Sequence, residues 1–258
     1  MKYFGLLLCG LMILGCKQEQ QVKALTAIDI VNKSIAVSGG EQISNSAIDF
    51  TFRDKVYIAT REQGKFSLMR ISSDDSTKTI IDELNNHGFF RRVGTRMEGK
   101  FETVHVADSM IPRYSASVNS VHYFSVLPYG LNDEAVNKSL LNEEQIKGKN
   151  YYKVKVTFNE EGGGEDFEDV FIYWIDKTTF KADYIAYSYN EDDGKGMRFR
   201  EAYNERYIQG IRFVDYNNYR SQDTLVDLPE LGNAFNNDEL QLLSKIELEG
   251  ITVDLINF

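Results

Sequence analysis

The run Tyr151-Tyr152-Lys153-Val154-Lys155-Val156-Thr157-Phe158 alternates polar and apolar side chains from Tyr152 onward. In an extended chain successive side chains point to opposite faces, so this period of two predicts a β-strand with one face on a core. Similar runs recur on both sides of it, separated by turns rich in glycine, asparagine and aspartate. Short alternating strands joined by such turns predict an antiparallel meander as the main architecture.

The alternating segments fall into two groups, one in each half of the chain. The first group is 48–54, 56–62, 66–71, 78–84, 88–93 and 101–106, and the second is 151–158, 170–175, 182–189, 197–207, 211–219 and 244–256. Asp193-Gly194 is a hairpin signal between two segments of the second group. Each antiparallel strand can bury one face and leave the other in water.

Two segments have helical spacing instead. From about Thr26 to Val37 apolar residues recur three or four positions apart, which predicts an amphipathic helix. Thr26 is the expected N-cap, with Asp29 three residues on, and Gly39 just past the end is expected in the left-handed conformation. A second helix is predicted within residues 109–127, where Val118 and His122 share one face.

The remaining segments are less clearly patterned. Residues 131–145 fit either a helix or a strand, and a polar loop is expected after Pro229. The predicted fold class is α+β and mainly β. It is a large curved antiparallel sheet, an incomplete β-barrel, with an N-terminal helix and a second helix covering one face.

The N-terminal segment predicts export and lipidation. Lys2 precedes a short apolar run that suits a signal peptide and is too short to span a bilayer. The following Ile13-Leu14-Gly15-Cys16 resembles the lipobox of bacterial lipoproteins. The resemblance implies that residues 1–15 are removed and that Cys16 is acylated with chains such as palmitate. The polar residues that follow predict a lipidated tether over 16–24, and because no linker divides the rest of the chain, 25–258 is predicted to be a single domain. Lys17 rather than aspartate after Cys16 resembles an outer-membrane address, on the periplasmic face or the cell surface.

Composition excludes several function classes. The chain has two cysteines, Cys9 in the predicted signal peptide and Cys16, so the predicted mature domain has no disulfide, thiol nucleophile or thiolate metal site. The net charge of −10 argues against a nucleic-acid partner, because phosphates demand a basic face. The expected partners are the membrane, through the lipid anchor, and a hydrophobic ligand. A monomer is favoured.

Residues 147–219 contain a series of strand and turn motifs. Gly148-Lys149-x-Tyr151-x-Lys153-Val154 is followed by Tyr173-Trp174-Ile175-Asp176-Lys177-x-Thr179 and later by Gly210-Ile211-Arg212-Phe213. This series resembles the LolA/LolB-like lipoprotein-localisation fold. The whole predicted mature chain is similar to an uncharacterised family of Bacteroidota lipoproteins within that fold group. The resemblance implies a half-barrel whose concave face, covered by helices, can hold acyl chains.

Candidate site residues are few. His87, His105 and His122 lack metal-ligand spacing, and the acidic stretches 165–169 and 191–193 are expected to be solvated turns, so no metal site, no catalytic residue and no cofactor is predicted. Arg198 and Arg200 lie on one face of a predicted strand. They are the candidates for binding a carboxylate or phosphate head group, with cross-strand pairing to acidic residues as the alternative.

The favoured function is non-enzymatic binding of an apolar or amphiphilic ligand, an acyl chain or lipid, by a lipid-anchored envelope protein. A continuous cavity between sheet and helices is its discriminating feature. One alternative is a surface module that recognises protein or glycan through a flat aromatic patch. The other is a small-molecule lyase, which requires a buried lysine beside a second cation in a pocket.

Overall fold

The computed structural model describes residues 24–73, 78–95, 99–164, 167–191, 194–223 and 225–256. The predicted signal peptide, Cys16 and most of the tether lie outside these residues, as does Asp193 of the predicted hairpin signal. None of the described helices has the length and apolar character needed to cross a membrane.

Within the described residues the chain forms fifteen strands. They are β1 (Ser46–Phe52), β2 (Lys55–Glu62), β3 (Lys65–Ser73), β4 (Thr79–Asn85), β5 (Gly88–Thr95), β6 (Lys100–Val104), β7 (Val136–Leu140), β8 (Glu144–Ile146), β9 (Lys149–Phe158), β10 (Val170–Asp176), β11 (Ala182–Glu191), β12 (Gly194–Ile208), β13 (Ile211–Ser221), β14 (Leu240–Ile246) and β15 (Glu249–Leu255). The α-helices are α1 (Ala27–Val37), α2 (Gly40–Ile43), α3 (Ile111–Ser125) and α4 (Leu231–Asn236).

The strands form two antiparallel sheets that do not close into a barrel. The seven-stranded sheet has the order β15-β1-β2-β3-β4-β5-β6. The eight-stranded sheet has the order β14-β13-β12-β11-β10-β9-β7, and β8 also pairs with β9. The predicted fold class, mainly β with a few helices, is confirmed, and the strands divide between two sheets where the sequence predicted one. The predicted tail 244–256 contributes to both sheets. β14 is an edge strand of the eight-stranded sheet, and β15 pairs with β1 in the seven-stranded sheet.

Both faces of the eight-stranded sheet are covered. On one face Tyr173 and Ile185 pack against Ile30 of α1, and α3 lies over the same side. On the other face Trp174 and Phe199 pack against Phe235 of α4. The sequence predicts a polar loop after Pro229, and this expectation is wrong for residues 231–236. Their apolar side chains form a helix too short to show periodicity, and it is stabilised by burial against the sheet.

The predicted N-terminal helix is confirmed together with its cap. The Asp29 backbone N–H donates to the Thr26 hydroxyl at 3.2 Å, and the Thr26 backbone N–H donates to the Asp29 carboxylate at 2.9 Å. This reciprocal pair satisfies two of the donors that every helix N-terminus leaves free. Residues 131–145, left open by the sequence, form a 3-10 turn at Tyr129–Asn132 followed by β7 and β8.

Gly39, just past the end of α1, lies in close contact with the eight-stranded sheet. Its φ is +84°, and a β-carbon there would overlap the carbonyl oxygen of Gly210 and lie 2.9 Å from the α-carbon of Ile211. The neighbouring Ser38 carbonyl accepts a hydrogen bond from the Arg212 backbone N–H at 3.1 Å. The close approach of these two backbones therefore depends on the absence of a side chain at residue 39.

We expect Gly39→Ala to lower the free energy of unfolding by more than about 3 kcal/mol, since it adds a backbone clash to left-handed strain. Gly64→Ala is the matched control. Its φ is +77° but nothing lies within 4 Å of the added carbon, so it should cost only about 1–2 kcal/mol. Denaturant unfolding followed by the fluorescence of Trp174 measures both. Equal losses in the two variants would contradict the proposed contact.

Candidate functional site

Helix α3 lies between the two sheets and forms one wall of the candidate site. Its buried Val118 packs against Ala59 and Leu68 of the seven-stranded sheet. Near its C-terminal end, Tyr123 and Phe124 pack instead against Phe171 of the eight-stranded sheet. The second helix predicted within 109–127 is thus confirmed, and it contacts both sheets.

Charged groups fix α3 on the seven-stranded sheet. The buried carboxylate of Asp82 accepts from Arg70 at 2.6 Å and from Arg91 at 2.6 Å. Arg70 also donates to the Ser117 hydroxyl of α3 at 2.7 Å, and the Arg91 guanidinium lies 4.1 Å from the ring centre of Tyr114. One carboxylate therefore orients two cations, and each cation contacts the helix.

A cavity of about 850 Å³ lies between α3 and the eight-stranded sheet. Its volume falls in the upper part of the range for small-molecule sites. Most of its walls are apolar or aromatic, and they come from α3, from both sheets and from the loop after β9. The lining includes Phe52, Leu84, Ala116, Val121, Tyr123, Phe124, Phe158, Phe171, Tyr187, Tyr189, Val214, Tyr216, Ile246 and Leu248.

Stacked rings make up the aromatic wall. The rings of Phe171 and Tyr187 lie 5.4 Å apart at 19°, and Phe124 of α3 lies 5.3 Å from Tyr187. Phe158 meets Phe171 edge-on at 5.8 Å. These ring contacts stabilise the aromatic wall along which the cavity lies.

Arg200 lies in the lining of this cavity and is only 9 % exposed. Its guanidinium is stacked 3.9 Å from the ring centre of Phe124, and Nη2 donates to the Tyr187 hydroxyl at 2.7 Å. Its Nε is buried without a hydrogen-bond partner, and none of the carboxylates in the described ranges forms an ion pair with it. Arg200 therefore has no ion pair within the described part of the chain, in a cavity whose lining also includes Asp169 and Arg53.

Nearby phenols do not supply a negative charge. Burial raises the pKa of Tyr173 well above its ordinary value, and it also raises the pKa of Tyr216, whose ring centre is 5.9 Å from the Arg200 guanidinium. Both hydroxyls are therefore neutral at physiological pH.

Arg198 shares the face of β12 that carries Arg200 but is less deeply buried. Its guanidinium lies 5.1 Å from the ring centre of Tyr189, a cavity residue, and Nη1 donates to its neighbour's carbonyl, that of Met197, at 2.8 Å. The structure thus brings the two candidate arginines to the same side of the sheet and places Arg200 inside the cavity. Phe124, Tyr187 and Asn218 complete Arg200's surroundings, and the sequence analysis did not single them out for this role.

The other candidate groups lie elsewhere. His87 and His105 are exposed, and in the part of the chain that the structure describes no three His, Cys, Asp or Glu side chains gather as metal ligands. The lyase alternative required a buried lysine beside a second cation. Lys153 is buried, but its ammonium donates to Glu144 at 2.7 Å and to the Pro229 carbonyl at 3.1 Å, on the opposite face of the sheet from the cavity.

His122 anchors α3 from within the core. Nε2 lies 3.0 Å from the Met69 carbonyl oxygen, so it carries the donated proton, and Nδ1 is buried without a partner. Phe50 and Tyr57 meet the ring edge-on at 5.8 and 5.5 Å. Burial, with a smaller contribution from the positive charge of Arg61, lowers the pKa of His122 to about 4, and the hydrogen bond to Met69 opposes this shift only in part.

Comparisons with known proteins give a family and several distant structural matches. The model of a "Family of unknown function (DUF6503)" matches residues 1–248. No curated protein sequence matches the chain.

Several solved structures are similar to the chain, including the following three. A DUF1329 family protein from Desulfovibrio piger has 10 % identity and a TM-score of 0.49, over 90 % of this chain and 94 % of that one. A LolA superfamily protein from Nitrosomonas europaea has 14 % identity and a TM-score of 0.40, over 91 % and 96 %. A putative outer membrane lipoprotein-sorting protein domain from Vibrio parahaemolyticus has 11 % identity and a TM-score of 0.43, over 82 % and 97 %. The LolA/LolB-like resemblance seen in the sequence recurs among these solved structures.

We expect acid to destabilise the protein through His122. The unfolded chain binds the proton below pH 6.5 and the folded chain only near pH 4, so stability is complete above pH 6.5 and is lost as the pH falls between these values. The loss should reach about 3 kcal/mol at most.

The measurement is the difference in unfolding free energy between pH 7 and pH 4.5. His122→Gln, which cannot take the proton, should be less stable at pH 7 but lose less on acidification than the unsubstituted chain. His87→Gln, at an exposed turn, is the control and should behave like the unsubstituted chain. An unchanged acid response in His122→Gln would contradict this assignment.

Proposed function

The chain belongs to the DUF6503 family of unknown function, and we propose that it is a lipid-anchored envelope protein that binds an apolar or amphiphilic ligand in the cavity between α3 and the eight-stranded sheet. The observation that carries this proposal is the cavity itself, about 850 Å³ and walled mainly by apolar and aromatic side chains. A filled core at this position would have excluded the proposal, because core packing leaves few voids larger than a water molecule.

The cavity geometry favours a long and flexible ligand. Its lining extends from Phe52 and Leu84 in the seven-stranded sheet to Phe158 at the end of β9 and Leu248 beyond β14. Apolar surface of this extent gains free energy when it is covered by an apolar ligand, roughly 25 cal/mol for each Å² removed from water. An acyl chain would cover it without needing specific polar contacts.

The anchor belongs to the same proposal. Acylation of Cys16 would hold the domain at a membrane, where amphiphiles are concentrated, and two or three chains would make that anchoring stable. We place the domain at the outer membrane, on its periplasmic face or at the cell surface, because Lys17 follows the cysteine. LolA superfamily and lipoprotein-sorting proteins are among the solved structures that resemble the chain, in agreement with an envelope role.

We expect Ala116→Trp, on the cavity side of α3, to reduce binding of the neutral fluorescent probe N-phenyl-1-naphthylamine at least about tenfold, because the indole would occupy the cavity. The unsubstituted chain should bind one probe molecule. Ile28→Trp, on the exposed face of α1, is the matched control and should bind the probe normally. Unchanged binding by a folded Ala116→Trp chain would refute the cavity as the site.

We expect Cys16→Ser to abolish incorporation of labelled palmitate and to move the protein from the membrane pellet to the soluble fraction. Cys9→Ser is the matched control, because it changes the chain's only other cysteine and should leave labelling intact. Labelling that persists in Cys16→Ser, or is lost in Cys9→Ser, would show that Cys16 is not the acylated residue.

A further inference from the structure

The two buried arginines of the described chain differ in their partners. Arg212, 5 % exposed, forms ion pairs with Glu205 at 2.5 Å and with Asp183 at 3.7 Å. Arg200, 9 % exposed, has no such ion pair; it contacts the Tyr187 hydroxyl and the face of the Phe124 ring. A buried cation without a counter-charge is costly, because burial removes its hydration and aromatic faces replace only part of it. An anion from outside the chain would complete the site at Arg200.

A polar row crosses the cavity floor at Arg200. In strand register Arg200 of β12 stands beside Asn218 of β13, and Asn218 stands beside Ser244 of β14. All three line the cavity, and the Asn218 amide donates to the Ser244 hydroxyl at 3.2 Å. The Asn218 side-chain oxygen is buried without a hydrogen-bond partner, like Nε of Arg200. Two unused polar atoms therefore lie on neighbouring strands of one row.

On one side of this row the next two rows are apolar. Two residues along the strands, on the same face, Tyr216 stands beside Ile246, and beyond them Val214 and Leu248 also line the cavity. Rows on one face are about 7 Å apart, so the apolar floor continues for roughly 14 Å past the polar row. In the opposite direction lies Arg198, which is less buried. A head group at Arg200 would thus be followed by an apolar chain directed deeper into the cavity.

We propose that the ligand of the cavity is a long-chain carboxylate, with its head group on Arg200 in the polar row and its hydrocarbon chain over Tyr216 and Val214. This inference rests on the proposed function and names its ligand class. One buried cation matches one negative charge, and the two oxygens of a carboxylate fit parallel N–H groups of a guanidinium. A phosphate monoester would bring up to two charges to a row that holds a single cation.

The test compares two ligands that share a sixteen-carbon chain and differ in the head group. Palmitate and 1-hexadecanol, delivered from cyclodextrin at pH 8, where the carboxylate is ionised, are titrated against the full chain. The chain carries Cys16→Ser so that its own lipid anchor cannot enter the cavity. We expect palmitate to bind at least about tenfold more tightly than 1-hexadecanol, because only palmitate can form a charge-assisted hydrogen bond with Arg200.

Substitutions then assign the preference to Arg200. Arg200→Met should bind the two ligands equally, with the affinity for 1-hexadecanol kept within about threefold, and Arg200→Lys should retain part of the preference through its charge. Arg113→Met, at an exposed position of α3 outside the cavity, should keep the full preference.

The outcomes separate this inference from the proposed function. If neither ligand binds the unsubstituted cavity, the proposed function is refuted. If 1-hexadecanol binds as tightly as palmitate, or if Arg200→Met keeps the preference, the cavity binds apolar chains but the carboxylate assignment is overturned. If hexadecyl phosphate displaces palmitate and binds more tightly, the head group is a phosphate and the proposed ligand class is wrong.

Discussion

Helix α3 packs against both sheets, and the shape of the interior depends on these two sets of contacts. Val118 and His122 bind it to the seven-stranded sheet, where Asp82 and its two arginines fix its position. The eight-stranded sheet is reached through aromatic side chains such as Phe124. Because α3 packs on the seven-stranded sheet through Val118 and reaches the other sheet through Tyr123 and Phe124, space remains between α3 and the eight-stranded sheet. We attribute the cavity to this geometric constraint.

The chemical character of the cavity depends on how the buried arginines are paired. The chain pairs its other deeply buried arginine, Arg212, with carboxylates, whereas Arg200 is surrounded by rings and one hydroxyl. An aromatic box stabilises a cation only in part, because it offers no formal negative charge. The cavity lining, which also contains Arg53 and Asp169, therefore combines mainly apolar walls with a buried arginine that lacks an ion pair within the described residues. This combination suits an amphiphilic anion better than a neutral lipid or a protein side chain.

The sequence predicts most of the strands and the first helix because each depends on local pattern and capping, as at Thr26. It leaves β7 and β8 undecided within residues 131–145. It does not predict that the strands form two sheets, since alternation is the same whichever neighbour a strand pairs with. Helix α4 was missed because six residues carry too little periodicity. Arg200 was identified as a candidate, but its burial depends on α3, which is distant in sequence. The apolar run Val170–Ile175 was the available signal that this sheet is covered on both faces.

Mass spectrometry of the protein purified from its own envelope, with ligands released by denaturation and quantified per chain, tests the central claim most directly. The account predicts about one amphiphile per chain, carrying a free carboxylate and retained until unfolding. It also predicts that the molecule is absent from protein whose cavity is filled by Ala116→Trp. Recovery of no amphiphile from either protein, or of the same lipids in the same amounts from both, would contradict the proposal that this cavity is a binding site.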